Sequence, residues 1–261
     1  RRGHALSMAR YPHFVPHIDV ALIGGTGIGS RLAALGGKPL HVPTPFGMLR
    51  GSVLQHQEAS ILLVQRHAAG HKVPPHRVNY LAMASGLAQL GVKGCISSAA
   101  VGCLRPEWPV GTLLNCDDFL DLSGRRLTQF HRTVEHVDFT RPFGLNPLIH
   151  KVSSSLGTEI QPGATYLTND GPRYETPAEI KMMSTLGADI VGMTASTEAI
   201  ALREAGVAYG CIAVVTNLAA GLSPTDLHHG EVTDVMNERG HLVVDLMLAC
   251  ALELTRSPQY A

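Results

Sequence analysis

The chain has 261 residues, 45% hydrophobic and only 16% charged, against roughly 25% charged in an ordinary soluble domain, so little surface has to stay wet and association between subunits is expected. Lys plus Arg and Asp plus Glu are equal at 21 each and no block of five like charges occurs, which argues against a nucleic-acid groove or an anionic-membrane surface. The apolar stretch 242–254 is broken by Asp245 and Glu253, short of the roughly 18 unbroken residues of a membrane span, and five cysteines without a CxxC pair fit a reducing cytoplasm.

Residues 1–17 lack an apolar core and a small-residue cleavage site, so they read as a leader or appended segment and not as a secretory signal. Residues 18–261 read as a single domain. IDVALIG at 18–24 is a β-branched run ending in the glycine cluster GGTGIG, a first strand running into a tight loop. Further strand-like runs are SILLVQ at 60–65, GCISSAAVG at 94–102, TLLNC at 112–116, ATYLT at 164–168, DIVGM at 189–193 and GCIAVVTN at 210–217. Several are apolar throughout, as in a sheet covered on both faces.

Helical spacing joins Tyr80, Met83, Leu87 and Leu90, and again Val232, Val235, Leu242, Leu246 and Ala249 near the C-terminus. Thr176-Pro177-Ala178-Glu179 combines an N-cap, proline at the first helical position and glutamate at the third, so a helix begins just after Glu175. Residues 122–145 mix charges, histidines, Pro142 and Gly144 without a period, which predicts an excursion from the core. Strands and helices alternate, so the fold class is α/β.

The chemistry-bearing groups fall at the ends of these runs. The glycine loop after the first strand exposes backbone N–H groups that suit a phosphate, with the Thr26 hydroxyl as a further donor. A dinucleotide site would require GxGxxG and an acid about 20 residues on; here Ser30 stands where the last glycine belongs and 41–47 contains no acid, so a nicotinamide-dependent oxidoreductase is a weak alternative. Arg66-His67 ends the SILLVQ strand, where open α/β sheets place ligand groups. His67, His71 and His76 have no completing acid or cysteine, and Pro74-Pro75 breaks any helix that would align them, so no metal is expected. GPRYET places a carboxylate and an aromatic ring between a strand and the capped helix, while GMTASTE and VVTNLAAG end apolar strands in hydroxyl and amide groups. Singly, each is also compatible with an ordinary turn, cap or solvated edge.

Taken in order, IGGTGIG, TPFG, RHAAGHKVPPHRVNY, GPRYET, GADIVGMTASTEA and VVTNLAAG resemble the trimeric purine nucleoside phosphorylase and methylthioadenosine phosphorylase family over roughly residues 18–250. The resemblance implies a three-layer α/β fold around a mixed, partly barrelled sheet, and a homotrimer with sites at the subunit interfaces. It also implies phosphorolysis of a purine nucleoside to free base and pentose 1-phosphate, with inorganic phosphate as co-substrate and no cofactor. By motif, phosphate lies against Thr26, Arg66, His67, the backbone of Ala100 and Thr194, all as cations or donors. Met193 lies under the ribose and Tyr174 beside sugar and base, and His136 is lent to a neighbouring subunit.

Catalysis on this reading rests on Asn217, Glu175 and His67. The Asn217 amide donates to the purine at N7 and O6, and the Glu175 carboxylate accepts from the N1–H of a 6-oxopurine. With adenine both contacts are mismatched, at about 1–3 kcal/mol each. The methylthioadenosine branch resembles this chain less at these two positions, typically having aspartate in place of Asn217 and lacking the glutamate. Adjacent Arg66-His67, by contrast, is similar to the methylthionucleoside branch, which makes methylthioinosine the rival substrate; His229 resembles the histidine that binds a nucleoside 5′-hydroxyl and favours inosine and guanosine. A non-catalytic nucleotide-binding subunit is the remaining alternative. Three departures from the family pattern are Ala99, which removes a candidate phosphate contact, Cys103, and Thr197 where proline usually precedes the glutamate.

Overall fold

The computed structural model describes residues 17–223, 228–257 and 260; most of the expected leader, residues 1–16, lies outside them. The first expected strand forms as β1 (Val20–Gly24), fully buried and flanked by parallel partners on both sides, which is why it is apolar without alternation. It leads through the glycine loop into the short helix α1 (Ile28–Ala34). An antiparallel hairpin follows, β2 (Lys38–Thr44) and β3 (Gly47–His56), turning at Pro45-Phe46. Neither strand is among the runs expected from the sequence. Pro39 and Pro43 sit in β2, the outermost strand, where a missing N–H disrupts least.

The SILLVQ run is β4 (Ala59–Gln65), parallel to β1. After α2 (Tyr80–Gln89), whose first turn is capped by the Asn79 side chain at 3.0 Å from the Ala82 N–H, come β5 (Gly94–Cys103) and β6 (Leu113–Asp121). Residues 122–145 run without helix or strand, as their composition suggested. The chain then forms α3 (Asn146–Leu156), β7 (Gln161–Thr168), α4 (Pro177–Thr185), β8 (Ile190–Gly192), α5 (Ala195–Glu204), β9 (Ala208–Leu218) and the long α6 (His229–Arg256).

The strand order is β2-β3-β4-β1-β5-β8-β7-β6-β9, and β9 also pairs with β5, so five strands close on themselves while four extend as an open wing. Pairings are mixed: β1 runs parallel to β4 and β5, and β5 parallel to β9, while β5–β8 and β6–β9 are antiparallel. Helices α2 and α5 pack on one face of the sheet, where Tyr80, Met83, Leu87, Ala199 and Leu202 join the core. Helices α1, α3 and α6 cover the other, with Leu32, Ile149, Val243 and Met247. The result is the expected three-layer architecture. Among the described residues no helix is long and apolar enough to cross a membrane.

Candidate active site

The loops and strand ends that carry the sequence motifs converge on one cavity of about 420 Å³. Thr26 follows β1, Arg66 and His67 follow β4, Ala99 and Ala100 lie on β5, Tyr174 and Glu175 follow β7, Met193 and Thr194 follow β8, and Asn217 lies near the end of β9. His229, the first residue of α6, completes the wall. Ten of the eleven candidate side chains therefore line one space. The eleventh, His136, is exposed on the 122–145 excursion and is not among the lining residues.

Arg66 is 5% exposed and has little freedom. Its Nε and Nη2 donate to the two oxygens of Glu198 at 2.5 and 2.8 Å, and Nη1 donates to the Ser98 carbonyl at 2.9 Å. Burial alone would lower the arginine pKa, but the completely buried Glu198 more than reverses this, so the guanidinium stays charged. Glu198 also accepts from the Tyr209 hydroxyl at 2.7 Å. The fork is thus fixed before any ligand arrives. The sequence shows glutamate in TASTEA but gives no sign that it pairs with an arginine 132 positions away.

One glycine of the loop is required by this arginine. A Cβ on Gly25 would collide with Arg66 Nη1 and stand 2.7 Å from the Ser98 carbonyl oxygen. Its backbone donors are mostly spent internally: Gly25 N–H on Ser98 Oγ at 3.1 Å, and the N–H groups of Ile28 and Gly29 on the Gly25 carbonyl. Of the N–H groups expected from the sequence to face a ligand, those of Gly25, Ile28 and Gly29 are therefore already bonded. What the loop presents to the cavity is Thr26.

His67 also differs from its sequence reading as a cation or donor. Its Nδ1 lies 2.8 Å from the Val73 carbonyl oxygen, which can only accept, so Nδ1 carries the proton and Nε2 is an acceptor. Burial and the adjacent Arg66 push its pKa down to about 3, keeping the ring neutral. The His71 ring lies 4.4 Å from that of His67 and 5.9 Å from that of His229, so three imidazoles line one side of the cavity. The sequence suggests His71 only as a candidate metal ligand; burial and then the neighbouring His229 lower its pKa as well.

Glu175, another residue lining the cavity, is 8% exposed, and burial raises its pKa. The Asn169 amide donates to it at 3.2 Å. The capping box read from sequence is present directly beyond it: Thr176 Oγ1 accepts from the Glu179 N–H at 3.2 Å and Glu179 Oε2 accepts from the Thr176 N–H at 2.7 Å. Asn217 Oδ1 accepts from Thr216 Oγ1 at 3.0 Å and one Nδ2 proton goes to the Leu218 carbonyl at 2.9 Å, leaving the second available. Met193 packs its sulfur on Gly171. The Thr194 hydroxyl caps nothing in α5, although Thr194 is buried against the cavity.

The departures also have places in the structure. Ala99 lines the cavity, Cys103 is buried with its thiol donating to the Arg105 carbonyl at 3.2 Å, and Thr197 Oγ1 accepts from Arg125 at 3.3 Å.

A "Probable 6-oxopurine nucleoside phosphorylase" of Dictyoglomus turgidum is 40% identical over 239 residues, covering 88% of this chain and 89% of the relative. A "Probable S-methyl-5'-thioinosine phosphorylase" of Methanopyrus kandleri is 36% identical over 236 residues, covering 89% and 91%. In fold, the chain is similar to a methylthioadenosine phosphorylase from Schistosoma mansoni solved with adenine, with a TM-score of 0.85 at 23% identity, covering 93% of this chain and 94% of that one. The family model described as "Phosphorylase superfamily" matches residues 19–251, and the chain belongs to that family.

Proposed function

We propose that the protein cleaves 6-oxopurine nucleosides, inosine and guanosine, by phosphorolysis, releasing the base and ribose 1-phosphate for purine salvage. The observation that carries this reading is the pairing of Glu175 and Asn217 in the cavity that also holds Arg66, Thr26 and Thr194. Glu175 as acceptor and Asn217 as donor match the N1–H and the O6/N7 edge of a 6-oxopurine, and the cationic and hydroxyl groups in the same cavity match an oxyanion.

Phosphate attacks the anomeric carbon as the glycosidic bond breaks, and the bond's electron pair leaves with the purine. The barrier falls if the site binds the cationic sugar and anionic base better than the ground state. Asn217 Nδ2–H meets the charge developing at N7 and O6, and Glu175 holds the ring through N1–H. Arg66, Thr26, Thr194 and the Ala100 backbone hold phosphate, for which a guanidinium already fixed by Glu198 needs no reorganisation. His67, as a neutral acceptor, takes a hydrogen bond from the hydroxyl of hydrogen phosphate or from ribose. Met193 and Tyr174 pack on the sugar. No cofactor or metal enters any step.

The imidazoles of His71 and His229 give the remaining wall a polar character, which suits a 5′-hydroxyl better than a methylthio group. Methylthioinosine is the second reading, favoured by the Methanopyrus kandleri relative's name. The exposed His136 suits a homotrimer in which it reaches a neighbouring site, and five free, buried cysteines suit the cytoplasm. The test is the relative kcat/KM for inosine, guanosine, methylthioinosine, adenosine and methylthioadenosine. Preference for inosine and guanosine is expected; preference for methylthioinosine overturns the sugar reading alone, and preference for either adenine nucleoside overturns the base reading.

A further inference from the structure

Arg125 belongs to the irregular 122–145 segment, yet its side chain is only 12% exposed. Its guanidinium is shared among three elements. Nε is ion-paired with Asp170 Oδ1 at 2.8 Å, Nη2 donates to the Asp170 carbonyl at 3.1 Å, and Nη1 donates to Thr197 Oγ1 of α5 at 3.3 Å. Its carbon centre also lies 5.4 Å from the centroid of the Tyr80 ring, within cation–π range. The Tyr80 hydroxyl in turn donates to the carbonyl of Pro75, a cavity-lining residue, at 3.0 Å.

Asp170 receives a further hydrogen bond, from the Gly124 N–H to Oδ2 at 2.9 Å, so the excursion grips it by backbone and side chain together. The contacts continue inward. Asp170 N–H donates to Asn169 Oδ1 at 3.0 Å, and Asn169 Nδ2 donates to Glu175 Oε1 at 3.2 Å. Because Oδ1 is committed to an N–H, the amide cannot flip, and only its NH₂ can face Glu175. An unbroken run of contacts thus leads from Arg125 through Asp170 and Asn169 to the carboxylate assigned to the base.

We propose that Arg125 is a positioning residue for base selection: it clamps the 169–175 loop so that Glu175 presents its carboxylate to the N1–H of a 6-oxopurine. Threonine at 197 is part of the device, because it supplies an acceptor that proline has no atom to provide. The inference rests on the base-site reading above. Arg125 touches no group assigned to phosphate, and on α5 it bonds Thr197 and not the Glu198 that holds Arg66, so its loss is expected to fall on the base site.

The test measures inhibition constants for hypoxanthine and adenine, and KM for phosphate, in the wild type, Arg125→Met, Arg125→Lys and Glu175→Gln. Arg125→Met is expected to weaken hypoxanthine about tenfold, the equivalent of one net hydrogen bond to a charged group, with adenine and phosphate unchanged. Added guanidinium is expected to restore hypoxanthine binding to that variant. Should Arg125→Met fail to fold, Arg125→Lys, which keeps charge but not the fork, gives the same readout. If Glu175→Gln weakens hypoxanthine but neither arginine variant does, or if they weaken all three ligands alike, the positioning role is overturned. If Glu175→Gln leaves hypoxanthine unchanged, the base-site reading itself fails.

Discussion

His67 and Asn217 show how burial and hydrogen bonding decide what a residue type presents to a ligand. The histidine pKa of about 3 lies below the ordinary 6.5, so between these values the unfolded chain binds a proton that the folded chain does not. Stability is therefore lost as pH falls through 6.5 toward 3. His67→Asn, whose amide can keep the Val73 contact without titrating, is expected to show a shallower fall in Tm between neutral and mildly acidic pH; parallel curves would contradict the assignment. In the proposed base site, where Asn217 would face N7 and the 6-substituent, Asn217→Asp replaces a donor by a group that accepts when ionised. It is expected to shift the inosine-to-adenosine kcat/KM ratio toward adenosine by about tenfold or more, one or two mismatched polar contacts. An unchanged ratio would remove Asn217 from the base site.

The elements turn these side chains into a rigid site. Helix α4 starts two residues after Glu175, with Thr176 between them as its N-cap and both bonds of the capping box made, so the backbone leaving the 169–175 loop is fixed. Thr176→Ala is expected to cost about 1 kcal/mol of stability, read as a lower Tm, and to raise KM for inosine with KM for phosphate unchanged; an unaltered Tm would show that the cap does not hold the loop. Helix α5 does the same for Arg66, the proposed oxyanion group, placing Glu198 completely buried against it. Removing one member of such a buried pair strands the other charge, so the pair is better read as a device for orientation than as a source of stability.

At the scale of the molecule, β1, β4, β5 and β9 run parallel, and the site gathers along the edge where several strands deliver their C-terminal residues. Buried strands such as 18–24 and 210–217 were legible because burial on both faces leaves an apolar run with a sharp glycine or polar end. The β2–β3 hairpin was not, because prolines and alternating exposure at a sheet edge mimic a loop. Helix α5 was hidden for the opposite reason: Ser196, Thr197 and Glu198 are buried, so its polar residues do not mark a solvent face. Site residues were legible one by one as motifs at strand ends, but the partners that fix them were not. Arg66 with Glu198, and Arg125 with Asp170, are pairings between distant segments that carry no local spacing signal.

The proposed function requires the cavity to bind an oxyanion and a 6-oxopurine nucleoside side by side, so that the oxyanion attacks the sugar. Following hypoxanthine release from inosine with and without inorganic phosphate, together with identification of the sugar product, tests this directly. Release that depends on phosphate and yields ribose 1-phosphate is expected. Release at the same rate without phosphate, with free ribose as product, would make the protein a hydrolase and contradict the assignment of Arg66, Thr26 and Thr194.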